Sequence, residues 1–134
     1  CKPATQQRQV ALAGQKVVMT MLACSADAHT FALASAELGD PAQVQPILLA
    51  LGQAARMNLQ GRVQAEQPAN VPGMTPSPAA LRWRLLGQLP SGQAAAEQVQ
   101  VFAHGTRVFQ AAVIGAQADD ARTQPFFDAL KVLP

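Results

Sequence analysis

The strongest constraint on the fold is a period of two. Leu81, Trp83 and Leu85 alternate with Arg82 and Arg84, and Val99, Val101 and Ala103 alternate with Gln98, Gln100, Phe102 and His104. Val17, Met19, Met21 and Ala23 alternate in the same way with Lys16, Val18, Thr20, Leu22 and Cys24. Successive side chains of a strand point to opposite faces, so each segment reads as a strand of an antiparallel sheet. Segments 10–13, 30–38, 62–67 and 107–114 complete the set. Gly14, the stretch 25–28, Leu89-Pro90-Ser91-Gly92 and Gly105-Thr106 supply the turns.

Two segments change period. Val44, Ile47, Leu48, Leu51, Ala54, Ala55 and Asn58 recur at three and four, the mark of a helix with one apolar stripe. Asp40 suits its N-cap and Pro41 its first turn, but Pro46 would cost an interior hydrogen bond, so the regular helix is expected from near Gln45 and ends by Gly61. The second helix opens on Asp119 and Asp120, with Pro125 limiting its start and Phe126, Phe127 and Leu130 as its apolar face. Neighbours on a helix lie about 100° apart, so one phenylalanine is expected fully buried, Phe127, and the other at the edge. The order hairpin, helix, strands, helix has no β-α-β alternation. It predicts an α+β fold, an antiparallel sheet flanked by helices.

At 134 residues the chain fits one domain, read as a flexible tether over 1–9 and a folded body over 10–134. Twenty-seven alanines and six aromatics predict a modest core. Charged residues are 13%, against roughly 25% in ordinary domains, and 17 glutamines supply the polar surface instead. A net charge of +2 without a basic run argues against nucleic acid as a partner and against membrane recruitment by charge alone. No run approaches the ~18 consecutive apolar residues of a membrane-spanning helix.

Catalytic signals are sparse. His29 and His104 are the only side chains that titrate near neutrality unperturbed, and a hydrolase or metal enzyme would have to be built on one of them. His29 with Asp27 and Cys24 follows no zinc spacing. Ser25, Ser35, Ser77 and Ser91 lie in no G-x-S-x-G elbow, and the glycines form no phosphate loop. No cofactor, metal or catalytic residue is expected. Arg82, Trp83 and Arg84 are the candidate binding surface, a platform of charge and stacking for an anionic or glycan ligand, although alternation sends Trp83 toward the core. The proline-rich stretch 68–78 is a long loop of the kind that is either functional or disordered.

The first residue adds a location. A chain opening on Cys1, followed by the polar run 2–9, resembles a bacterial lipoprotein after removal of its signal peptide. The resemblance implies a diacylglycerol on the Cys1 thiol and an acyl chain on its amine, enough to anchor it firmly in a membrane. Lys2, in place of the aspartate of inner-membrane retention, implies the outer membrane, with the body facing the periplasm. A thioether consumes the Cys1 sulfur, so Cys24 would then be a free thiol near the hairpin tip.

A second resemblance covers residues 81–130. A strand ending His104-Gly105, a following strand with Phe109-Gln110, Val113 and Gly115, and a helix bearing Phe126-Phe127 look like the C-terminal half of PsbP-like and DcrB-like proteins, with Pro72-Gly73 similar to the turn before the meander. Ala129 and Phe109 depart from the serine and tyrosine usual there. The resemblance implies an α/β/α sandwich and, in bacteria, a lipoprotein; it transfers no catalytic residue. The expectation is a non-enzymatic cell-envelope lipoprotein acting through protein or polymer contacts, with an envelope protein as a candidate partner. A periplasmic small-ligand module with a pocket between sheet and helix is the alternative.

Overall fold

A computed structural model describes residues 2–26, 28–60, 62–116 and 120–132. The described elements run β1 (Ala4–Leu12), β2 (Gln15–Ala26), β3 (His29–Glu37), α1 (Val44–Asn58), β4 (Arg62–Pro68), β5 (Leu81–Gln88), β6 (Ala94–His104), β7 (Arg107–Gly115) and α2 (Asp120–Asp128). The seven strands form one antiparallel sheet in the order β1-β2-β3-β7-β6-β5-β4. Two meanders, β1 to β3 and β4 to β7, are thus joined side by side at β3 and β7.

Every strand expected from the alternation is present, but the tether is not. From Ala4 the chain is already edge strand, paired with β2 from Ala4↔Ala23 to Leu12↔Gln15. Ala13 and Gly14 make the tight turn between them, both with positive φ (52° and 76°), the handedness that matches the twist of two strands. The segment 4–9 alternates no apolar residues because both of its faces are exposed, and that removed the signal.

Asp40 and Pro41 start a 3-10 turn, Pro41–Gln43, in which the Asp40 carboxylate accepts the Ala42 N–H at 2.9 Å. The α-helix proper begins at Val44, so Pro46 falls in its first turn, where no N–H is required. Ile47, Leu48, Leu51 and Ala55 of α1 bury against one face of the sheet, among Val17, Met19, Leu85, Val99, Val101 and Val108.

The α/β/α sandwich does not form. The molecule is a seven-stranded sheet with only about 20% helix. On the face away from α1, the nine-residue α2 and the loop after β4 cover only local clusters, Phe127 on Ala111 and Val113, and Val71 on Ala80 and Phe102. Toward β1 that face is bare, with Val18 55% and Leu22 39% exposed. A helix of nine residues is about 14 Å long and spans about three strands at their ~4.8 Å spacing, so α2 cannot form a layer over seven. Sequence order predicts how many helices exist, not how much sheet they cover.

Candidate functional site

Alternation along β5 sets the site. Trp83 and Leu85 point to the α1 side, and Arg82 and Arg84 to the other. Trp83 is buried beneath α1 at Gly52, and its Nε1–H donates to Glu66 Oε1 across the β4–β5 pair at 2.6 Å. The three-residue platform is therefore split by the sheet, with the arginines on one face and the indole ring on the other.

On the arginine face, Arg82 lies between β6 and α2. Its Nη2 donates to Gln98 Oε1 at 2.7 Å and to Gln124 Oε1 at 3.1 Å, and the guanidinium lies 4.2 Å from the centroid of the Phe127 ring. Gln98 Nε2 donates to Thr123 Oγ1 at 2.9 Å, and Gln124 Nε2 to Asp128 Oδ1 at 2.6 Å. Each amide accepts with its oxygen and donates with its nitrogen, so the chain of bonds holds α2 to the sheet in one orientation.

Two clefts flank this contact, of about 330 and 350 Å³, and share Gln67, Arg82 and Gln124. Gln64, Arg84 and Gln98 line the first; Asn70, Gln100 and Asp128 line the second. Gln100 is 3% exposed, and its amide oxygen accepts the Asn70 N–H at 3.4 Å, which leaves its NH2 group for the cleft it lines. Gln64 lies in a β-bulge between Val63 and Ala65; a bulge re-aims a side chain, and here Gln64 joins the cleft wall.

The stretch 68–78 is neither disordered nor a free arm. Thr75 N–H donates to Ala103 O at 2.7 Å, Gly105 N–H to Thr75 Oγ1 at 2.9 Å, and Val132 N–H to Pro72 O at 2.8 Å. His104 Nδ1 lies 2.9 Å from Gly73 O, so this histidine braces the loop. His29 is buried, facing Gly115, where a side chain would bring a Cβ to 2.7 Å from its Cδ2. His29 is therefore a packed position of the sheet.

The histidines sit at opposite ends of β7, opposite Gly115 and Arg107, about 25 Å apart at the rise of a strand, so no common site contains both. Among the described residues no three of His, Cys, Asp and Glu gather as a metal site. Asp27 and Cys1 lie outside the described residues. Cys24 is disulfide-bonded; the free thiol is the expectation for the form acylated at Cys1. Ser77 and Ser91 accept backbone N–H groups of Ala79 and Gln93 within their turns, and Ser25 is hydrogen-bonded to Thr30.

Among the described residues two carboxyls are shifted. Glu97 lies on the α1 face between Leu85 and Ile114, and burial pushes it up to about 7. Glu37 is held below its ordinary value, chiefly by the hydrogen bond from Thr106 Oγ1 at 2.5 Å and next by the Gly39 N–H at 2.9 Å. Neither lines the clefts.

The glutamines are what residue-by-residue reasoning missed. Taken as generic surface polarity, they carry no motif. The usable signal was Gln98 and Gln100 at alternate positions of a strand whose other face is Val99 and Val101, in the middle of a sheet. No described helix is long and apolar enough to cross a membrane. In comparison with known proteins, no family model and no curated sequence matches the chain.

Proposed function

We propose that this chain is a non-enzymatic protein of the bacterial cell envelope that acts by binding a protein or polymer in the cleft beside Arg82. The observation that carries the reading is the cleft itself. Two adjoining hollows above 300 Å³, a volume in the range of ligand clefts, are walled by side-chain amides, Arg82 and Arg84 and are backed by the sheet. The disulfide at Cys24 fits an oxidising compartment such as the periplasm. The likeness of residues 81–130 to PsbP-like and DcrB-like proteins belongs to the same proposal.

Lipid attachment at Cys1 is the proposed anchor, to the outer membrane. It needs the sulfur that a disulfide from Cys1 to Cys24 would also need, so the two are alternatives. Intact mass of membrane-extracted protein decides: added acyl mass establishes the anchor, and an unacylated chain overturns it without touching the cleft. The small-ligand reading is favoured by one observation, a hollow of about 560 Å³ at the His29 end of the sheet, lined in part by Thr30, Leu89 and Ile114.

Photo-cross-linking in intact cells from a photoreactive residue at position 67 tests the cleft. An adduct is expected there and not from the exposed Gln53 on α1. No adduct at 67, or equal adducts at both positions, overturns the reading.

A further inference from the structure

We propose that the outer edge of β1 docks a second copy of this chain, whose own β1 adds antiparallel across Gln7 to make one continuous sheet; the cleft beside Arg82 plays no part in this contact. The two edges of the sheet are built differently. β4 has its pairing broken by the bulge between Val63 and Ala65, carries Arg62 and Glu66, and ends on Pro68. Bulges, charges and proline keep a sheet edge from pairing with another chain. β1 keeps nine successive pairs with β2, from Ala4↔Ala23 to Leu12↔Gln15, without a shift of register, and it is exposed from Ala4 to Gln9 with Arg8 as its one charge. Its edge is regular and open.

The turn fixes which backbone groups face out. In a two-residue hairpin turn of positive φ, here Ala13 and Gly14, the flanking residues Leu12 and Gln15 exchange hydrogen bonds. The ladder alternates from there, so Gln6, Arg8 and Val10 bond to β2 while Thr5, Gln7 and Gln9 turn N–H and C=O outward. Among the described residues no strand pairs beyond them. Two copies join these groups only where outward residues meet outward residues, which puts the two-fold axis through a residue and not between residues. An axis through Arg8 sets the two arginines opposite each other, about 4.5 Å apart at Cα, where like charges repel. An axis through Gln9 draws in the turn end, where Leu12 is packed into the core. The axis through Gln7 avoids both. It places Arg8 opposite Gln6, whose amide oxygen is an acceptor for a guanidinium, pairs Ala4 to Val10 with the same segment, and gives about six main-chain hydrogen bonds. The edge is thus complementary to itself in one register, and that selects a second copy as its partner.

A contact of one strand pair buries less than the ~1,000 Å² of a stable interface, so the dimer is concentration-dependent. Sedimentation of the full 134-residue chain from about 10 μM to about 1 mM reads it. The dimer is expected to grow over that range, and amide exchange at Thr5, Gln7 and Gln9 should slow with it while Gln6 and Arg8 exchange slowly throughout. Q7K and Q7E each set like charges across the axis on an exposed side chain and should weaken association about five-fold, and an equimolar mixture of the two should regain it. Q53K on the exposed face of α1 adds the same charge elsewhere and should leave association unchanged. A chain that stays monomeric at every concentration overturns the proposal. So does a dimer that ignores Q7K and Q7E, which would be built on another surface, or a mixture that fails to recover.

Discussion

Gly52 of α1 rests on the ring of Trp83 from β5, so closely that a Cβ on the glycine would meet Cη2, with Cζ3 at 3.0 Å and Cζ2 at 3.1 Å. The indole cannot retreat. Its own Nε1–H is tied to Glu66 at 2.6 Å. Gly52→Ala is therefore expected to destabilise by about 1–3 kcal/mol despite the better helix propensity of alanine. Chemical denaturation measures it. In a Trp83→Leu background, where the ring is gone, the same change should cost nothing or stabilise, and an unchanged cost there would refute the contact.

Glu97 predicts a pH dependence. Its carboxyl titrates at about 7 in the folded chain, against 4.5 when unfolded. Between these values the folded state holds a proton that the unfolded state has lost, so stability falls as pH rises through the window and levels off above about 7. At roughly 1.4 kcal/mol per unit the loss is at most about 3 kcal/mol. Glu97→Gln should match the parent near pH 4.5 and exceed it at pH 8. Equal stability of the two at pH 8 would show that burial does not strain this carboxyl.

Phe127 and Phe126 should differ. Phe127 is 5% exposed, on Ala111 and Val113 and under Arg82, whereas Phe126 is half-buried beside Phe31, 5.5 Å between ring centroids. Phe127→Ala is expected to cost about 3–5 kcal/mol, and Phe126→Ala less than half of that. Urea denaturation of both orders them, and equal costs would place α2 in another rotation on the sheet.

Cys24 should resist alkylation. In a chain that carries no lipid on Cys1, the disulfide at Cys24 is expected to leave it unlabelled by a maleimide added to the denatured, unreduced protein, and labelling should follow reduction. Full labelling without reductant would show a thiol, the state that acylation of Cys1 requires.

The sheet was legible in the sequence wherever large apolar residues on the α1 face alternate with residues of another kind on the opposite face. β2, β5, β6 and β7 alternate because α1 covers one of their faces, and Phe127 was identifiable because adjacent helical residues cannot share a direction. Legibility failed at one edge. The start of β1 is exposed on both faces and carries the same glutamines as a tether would. The cleft was legible only as Arg82 and Arg84. Its remaining walls come from a bulge, a packed loop and α2, elements far apart in the chain, and glutamine has no spacing rule that announces a site. Trp83 was drawn into the candidate surface by adjacency, yet adjacency in a strand means opposite faces.

The seam between β3 and β7 also dictates the order of assembly. Within each meander, partners are neighbours in the chain, and each hairpin needs only its own turn. β3 meets β7 at Glu37↔Arg107, about 70 positions apart, and that seam alone unites the halves of the sheet. Closing so long a loop carries an entropic cost that local hairpins avoid, and chains dominated by such distant pairings fold in milliseconds to seconds. The first meander is complete on paper by Glu37, yet it gains its central neighbour only when β7 is in place. During that interval the edge of β3 stays open, and it is there that a second chain could add a strand and misassemble.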